Sequence, residues 1–394
     1  MYQGPQSGKF GIIHNEALPI THMFNWTFDT ISHTPETYYA SNTLWGPDRN
    51  PGVIDWTGNF SLFDGRAIIF PGQFLKCLEF FTAPTTGVYG NVGQTYCGQG
   101  IVDSVVLTWA WGPEQSLTQV VNFSANGCLA NRNRVIDDTT IRTPDKMCGL
   151  QLQYGLTETP SWTLFENIQQ AVLTMESTNP TYVNSSTGCC THRRPGNINW
   201  TLALTLTDHR TITYSRYDLL SFRLYNAPTT FWELAYAIFS GTSGVVANRQ
   251  TGEIQQQVAN FSMKALSDNS VGSIAWGTSG GLQNYWPPVA TTETVPDAPT
   301  AVSGSESTPY NVSVGWTAPA GGAAVTGYTV WASLDGVDFA VVGCSASDSY
   351  LDIGLPELRQ GQTEYDVWYK INAFNARGQG PFSAISAAIE IDGV

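Results

Sequence analysis

The sequence PGVIDWTGNFSLFDGRAIIFPGQFLKCLEFFTAPTT, residues 51–86, returns at residues 195–230 as PGNINWTLALTLTDHRTITYSRYDLLSFRLYNAPTT. The two segments align without a gap, 144 residues apart, and 14 of their 36 positions are identical. Unrelated chains of ordinary composition would match at roughly one position in fifteen. A second matching pair, QVVNFS at 119–124 and QVANFS at 257–262, is 138 residues apart. The chain therefore contains a duplicated unit.

The length of the repeat indicates whole domains, since the repeats of solenoid proteins have periods of about 20 to 50 residues. The composition then changes at WPPVATTETVPDAPT, residues 286–300, a proline-rich segment typical of a linker. We therefore divide the chain into a first copy at residues 1–150, a second copy at 151–290, a linker at 291–295 and a C-terminal domain at 296–394.

Alternating apolar and polar residues predict an all-β protein. In TLALTLTD, residues 201–208, the side chains of Leu202, Leu204 and Leu206 share one face of a strand. The segment SWTLFENIQQAVL, residues 161–173, also favours a strand. A helix is expected at FWELAYAIFSG, Phe231 to Gly241, where apolar residues have mixed spacing and a glycine could end the helix.

Three polar, glycine-bearing stretches are predicted to be long loops: Asn126 to Asp145, Asn179 to Gly196 and Gly241 to Gly252. Two of them hold most of the local positive charge, at Asn131 to Arg134 and His192 to Arg194. Loops of this length within a compact domain are usually functional, and here we expect them to contact other subunits.

The cysteines are odd in number and have no CxxC spacing, which signals neither a disulfide framework nor a zinc site. They are Cys77, Cys97, Cys128, Cys148, Cys189, Cys190 and Cys344. The nearest approach to a metal cluster is Cys189, Cys190 and His192, but adjacent side chains point apart. We therefore expect no metal, no cofactor, and unligated thiols in a reducing compartment.

The net charge of −14 argues against a groove that grips nucleic acid, which needs clustered Lys and Arg. Residues 296–394 carry 11 acidic and 3 basic side chains, so more than half of the negative charge lies there. The first twenty residues lack the basic start and continuous apolar core of a signal peptide, so assembly in a cytoplasm is expected.

Catalysis by paired carboxyl groups, as in glycoside hydrolases, is the first enzymatic alternative. The candidate carboxyl groups are Asp55, Asp64, Glu79, Glu166, Asp208 and Glu233. Asp64 and Asp208 are equivalent in the two copies, so we expect each to cap a turn in its own copy. His209 follows Asp208 directly, and neighbours in a strand face opposite sides, which excludes an oriented dyad there. We find no GxSxG elbow and no phosphate-binding glycine loop, and predict no catalytic residues.

Trp56 and Trp200 occupy the same position in the two copies. Tryptophans can act as platforms for sugars, but each of these is followed by Thr in an alternating strand. We favour the interpretation that each anchors a hydrophobic core.

The C-terminal domain resembles a fibronectin type III domain over nearly all of its length. The resemblance assigns Trp316 as the core tryptophan, Tyr328 to the following strand and Tyr365 to the tyrosine corner. The ending A-x-N-x-x-G-x-G-x-x-S stands at residues 373–383. This resemblance implies a small antiparallel β-sandwich.

The duplicated part resembles the tail tube proteins of long-tailed bacteriophages. The matching segments are GVIDWTG at 52–58, FPG at 70–72 and VVNFSANG at 120–127, although the second copy has Leu202 in place of Gly58. The resemblance implies β-sandwich or barrel units that form rings, which stack into the conduit for the genome. It further implies three subunits per ring of six similar units, with other tail proteins as partners and genomic DNA as a passing cargo. The protein would belong to the virion tail and be assembled in the cytoplasm of the bacterial host.

Strand edges give a physical reason for the same expectation. An open sheet exposes unpaired backbone groups, and closed cyclic assembly hides them.

The alternatives are a baseplate ring or capsid decoration protein of a phage, and a secreted carbohydrate-active or adhesive protein.

Overall fold

The fold is taken from a computed structural model of the 394-residue chain. It describes residues 12–15, 18–19, 23–38, 48–63, 69–81, 93–110, 117–127, 129–134, 152–157, 161–165, 167–182, 191–207, 218–226, 229–246, 256–264, 274–278, 281–286, 294–353, 355–356, 358, 363–375 and 378–392. These residues form β-strands and connections and contain no helix, so the prediction of an all-β protein is confirmed.

The strands of the first copy are β1 (Ile12–Asn15), β2 (Leu18–Pro19), β3 (Met23–Tyr38), β4 (Asp48–Leu62), β5 (Phe74–Phe81), β6 (Gly93–Ala110), β7 (Thr118–Ala125) and β8 (Ala130–Arg134). The strands of residues 151–290 are β9 (Leu152–Leu156), β10 (Thr163–Leu164), β11 (Ile168–Ser177), β12 (Thr181–Tyr182), β13 (His192–Arg193), β14 (Ile198–Leu206), β15 (Leu220–Tyr225), β16 (Thr230–Val246), β17 (Gln256–Met263), β18 (Ile274–Thr278) and β19 (Gly281–Trp286).

The pattern of antiparallel pairing in the first copy recurs in the second. In the first copy β1 pairs with β2 and β5, β3 with β4, β4 with β7, and β6 with β5, β7 and β8. In the second copy β9 pairs with β10 and β15, β11 with β14, β14 with β17, and β16 with β15, β17 and β18.

The register repeats as well as the order. Ile31 lies opposite Trp56 in the β3–β4 pair, and Met175 lies opposite Trp200 in the β11–β14 pair. Both members of the second pair follow those of the first by the 144 residues of the sequence repeat. The strands β3 and β11 are therefore equivalent, although their sequences match poorly.

The two copies belong to one sheet of 17 strands because β6 pairs with β11. Large buried side chains from both copies form one hydrophobic cluster, which includes Trp56, Phe60, Phe123, Trp200 and Phe261. Burial of this apolar surface is the main force that holds the copies together.

The C-terminal domain is a sandwich of two antiparallel sheets. Its strands are β20 (Thr300–Thr308), β21 (Asn311–Thr317), β22 (Gly327–Ser333), β23 (Ala340–Ser345), β24 (Ser349–Ile353), β25 (Tyr365–Asn375), β26 (Gly378–Phe382) and β27 (Ile389–Ile391). One sheet contains β20, β21 and β24, and the other contains β22, β23, β25, β26 and β27. Alternate residues of β21 point inward, so Val312, Val314 and Trp316 are buried in the core.

One helix and three loops predicted from the sequence contain strands in the structure, so these four local predictions are wrong. The expected helix at Phe231 to Gly241 is part of strand β16, and the expected loop beginning at Gly241 starts within the same strand. The expected loop at Asn126 to Asp145 contains strand β8, and that at Asn179 to Gly196 contains β12 and β13. The strand expected within residues 161–173 is confirmed by β10 and the start of β11.

Candidate assembly interface

The junction between the copies is an antiparallel ladder from Gln170 opposite Ala110 to Glu176 opposite Ser104. Within it, Met175 lies opposite Val105 and Leu173 opposite Leu107. All four of these side chains are fully buried. The ladder therefore joins the copies by main-chain hydrogen bonds and by a shared core.

A polar cluster lies beside this ladder, where a β-bulge interrupts β6 between Val102 and Ser104. The side-chain amide of Asn179 donates to the Val102 carbonyl at 2.9 Å and to Asp103 Oδ1 at 2.8 Å. The hydroxyl of Ser124 donates to Asp103 Oδ2, and that of Ser177 donates to Asn179 Oδ1 at 2.8 Å. Residues at the end of β11 and just beyond it are thereby tied to β6 and β7 of the first copy.

An ion pair forms a further link between the copies. Arg193 donates to Asp55 through both terminal nitrogens, at 2.9 Å and 2.7 Å, and to the Ala125 carbonyl at 2.6 Å. The side chains of Arg193 and Asp55 are 10% and 31% exposed. Bidentate geometry is the strongest form of an Arg–carboxylate contact. Asp55, one of the candidate catalytic carboxyl groups, is thus engaged in a structural contact.

The C-terminal domain contacts the first copy through a disulfide between Cys77 of β5 and Cys344 of β23, with Cα atoms 6.2 Å apart. The prediction of unligated thiols is therefore wrong for these two residues. They are separated by 267 positions in the chain, so sequence spacing gives no sign of the pairing. Trp331 and Val341 pack around the bond in a small hydrophobic cluster.

Lys76 makes a second contact to the C-terminal domain. Its ammonium donates to the Asn375 carbonyl at 2.6 Å and lies 5.1 Å from the centre of the Phe374 ring. The residue is 8% exposed, and both contacts compensate its buried charge. The Asn375 amide in turn donates to the Thr294 carbonyl at 2.9 Å, within the predicted linker.

Two of the remaining carboxyl candidates lie among the described residues, one in each copy. Glu233 is bonded to Arg223 at 2.8 Å in the second copy, whereas Glu79 is buried in the first. The other site candidates lie outside the described residues: Asp64, Glu166, Asp208, His209, Cys189 and Cys190. Among the described residues no three His, Cys, Asp or Glu side chains lie close enough to hold a metal ion.

Trp56 and Trp200 are enclosed in the shared core, at 0% and 1% exposure. The Trp56 indole nitrogen donates to the Gly127 carbonyl at 2.9 Å. Neither ring offers a face on which a sugar could stack.

In the part of the chain that the structure describes, no helix is long and apolar enough to span a membrane.

Two aromatic contacts characterise the C-terminal domain. The Tyr365 hydroxyl donates to the Pro356 carbonyl at 2.7 Å, nine residues upstream, as in a tyrosine corner. Trp316 packs edge-on against Tyr328, with ring centres 5.2 Å apart. Residues 297–389 match the fibronectin type III domain family. The prediction for the C-terminal domain is thus confirmed, and domains of this type are typically non-catalytic.

Two solved titin structures are similar to parts of the chain. "Titin kinase and its flanking domains" is 27% identical over 24% of this chain, with a TM-score of 0.21, and the chain covers 17% of that structure. "Crystal structure of domains A168-A170 from titin" is 14% identical over 79% of this chain and 97% of its own length, with a TM-score of 0.22. A comparison with curated proteins found no match.

Proposed function

We propose that this protein is a structural subunit of a phage tail tube, three copies of which close into a ring of six similar β units. The observation that carries the proposal is the repeated strand pairing together with the β6–β11 ladder. One chain contains two equivalent units already joined side by side, which is what a ring with twice as many units as chains requires.

Ring closure follows from the edges that this arrangement leaves. A strand edge with unpaired N–H and C=O groups attracts another strand, and a head-to-tail contact between unlike edges gives a closed ring when the rotation per subunit completes a full turn. The duplication lets three chains present six similar positions. Rings stacked on one another then form a tube without any covalent chemistry.

The charge supports a conduit rather than a DNA-binding protein. The duplicated part carries a net charge of about −6, after the −8 of residues 296–394 is set aside. A negatively charged wall does not hold a polyanion, so genomic DNA is proposed as a passing cargo. The partners are further copies of the chain and other tail proteins, and the location is the virion tail.

The fibronectin type III domain is proposed to lie on the outside of the tube. The disulfide of Cys77 and the contact of Lys76 fix it to β5 of the first copy. Since Ser221 and Leu220 stand at the equivalent places in the second copy, only one unit in two would carry the domain.

Electron microscopy of the purified protein tests the proposal. We expect rings that stack into tubes. Discrete rings that never stack would favour a baseplate or capsid decoration protein. A persistent monomer that binds or cleaves glycans would refute the structural function.

A further inference from the structure

We propose that residues 240–246 of strand β16 pair antiparallel with β3 of a second copy of this chain, in a register that places Thr242 opposite Ile31. The inference rests on the proposed ring assembly and adds to it the two strands and the register of the contact. It uses the β6–β11 ladder within one chain as the template for the ladder between chains.

The register follows from two equivalences. Ile31 corresponds to Met175, because these residues lie opposite the equivalent tryptophans Trp56 and Trp200. Val105 lies opposite Val121 of β7, and Thr242 lies opposite Ala259 of β17. Val121 and Ala259 occupy the same place in the QVVNFS and QVANFS motifs, so Thr242 corresponds to Val105.

The observed junction then gives the contact between chains. Within the chain Met175 lies opposite Val105, and replacing each by its equivalent gives Ile31 opposite Thr242. The next pair, Thr174 opposite Val106, becomes Thr30 opposite Ser243.

The shape of β16 supports the equivalence. A bulge interrupts the β6–β7 register between Val102 and Ser104, and one interrupts the β16–β17 register between Phe239 and Gly241. These bulges lie at corresponding positions, directly before the segments that are compared. A bulge bends a strand and redirects the residues after it, so both segments leave their own copy in a similar way.

The segment 240–246 of β16 has an uncovered edge in the single chain. Val105, which lies opposite Met175 of β11, is 0% exposed, whereas Thr242 and Ser243 are exposed. Within the described residues, the segment 240–246 pairs with β17 on one side and with no strand on the other. In the same part of the chain, the strand pairings of residues 30–32 of β3 are with β4.

The two edges are unlike, and each chain has one of each. A contact between unlike edges is head-to-tail, so each subunit gives β16 to one neighbour and receives β16 from the other. A second copy of this chain is therefore the partner that completes both edges.

Paired cysteines test the register. In rings of the Ile31→Cys/Thr242→Cys variant, mild oxidation with oxidised glutathione is expected to give covalent dimers and trimers on a non-reducing gel. The matched control is Thr30→Cys/Thr242→Cys, whose positions are one residue out of register in the proposed ladder and should link at least tenfold less. The unmodified chain, treated in the same way, measures any contribution of the native cysteines.

Rings that form without links in the first variant, or that link equally in the control, overturn the register and leave the proposed function standing. Failure of the unmodified chain to form rings overturns both. Hydrogen exchange on the unmodified protein gives a second measurement. Amides within residues 28–32 and 240–246 should be protected in rings and exchange quickly in dissociated chains, and equal exchange in both states would contradict the pairing.

Discussion

At the residue scale, Gly58 shows why the two copies could not keep identical sequences. A Cβ added to Gly58 would lie 2.5 Å from the Thr27 carbonyl oxygen and 2.8 Å from the Phe123 ring. The second copy has Leu202 at this position, fully buried. The packing around this strand therefore differs between the two copies. The sequence shows that Gly58 is replaced by Leu202, but only the structure shows the close contacts that require glycine in the first copy.

Replacing Gly58 by alanine should destabilise the first copy by about 1–3 kcal/mol, because the new methyl group meets backbone that cannot move aside easily. The measurement is the midpoint of urea unfolding. Gly315→Ala is the matched control, since an added Cβ there has no neighbour within 4 Å. Equal effects of the two substitutions would contradict this account of Gly58.

The ion pair of Asp55 and Arg193 should also contribute to stability. Asp55→Asn leaves the mostly buried guanidinium without its countercharge, so we expect a loss of about 1–3 kcal/mol. A double-mutant cycle with Arg193→Gln separates the pair from the other contacts of Arg193. Additive effects of the two substitutions would mean that the charges do not interact.

Asp335 should make the fibronectin type III domain sensitive to acid. The backbone N–H groups of Asp338 and Val337 donate to Asp335 Oδ1, each at 2.8 Å, and lower the pKa of that carboxyl. A lowered pKa stabilises the fold at pH values above the ordinary value for Asp, and this contribution is lost as the pH falls through the folded-state pKa. Thermal unfolding midpoints of the protein and of Asp335→Ala should therefore converge at low pH. A constant difference at all pH values would refute this.

Among the strands, the alternation of buried and exposed residues in β14 could be predicted from the sequence. That β16 is a strand rather than a helix could not. The prediction that Leu202, Leu204 and Leu206 share a face is confirmed, since all three are buried between less buried neighbours. In β16 a bulge sets Ala235 and Tyr236 opposite Ser221 alone. The extra residue breaks the two-residue period and produces spacing that resembles a helix.

The disulfide lay beyond sequence reasoning because its two cysteines belong to different domains. We predict that it forms in the purified protein and that reduction lowers stability by about 2–4 kcal/mol, since the bond closes a long loop in the unfolded chain. Peptide mapping would identify the Cys77–Cys344 linkage. In the Cys77→Ala/Cys344→Ala variant, reductant should have no such effect, and a linkage between other cysteines would contradict the pairing.

At the scale of the whole molecule, the duplication could be recognised from the sequence, whereas the contact between the copies could not. The repeated motifs lie in β4, β5 and β7, but the ladder that joins the copies is made by β6 and β11. β11 and its equivalent β3 match poorly in sequence because backbone hydrogen bonds, which any residue except proline can make, define their pairing. The same freedom would let the outer edge of β3 serve as the proposed contact between chains.

The mass of the isolated ring shows how many chains it contains. If one chain supplies two neighbouring units of a ring of six, native mass spectrometry should find a closed species of three chains of 42.9 kDa each. A ring of six chains, or a chain that remains monomeric at assembly concentrations, would contradict the account.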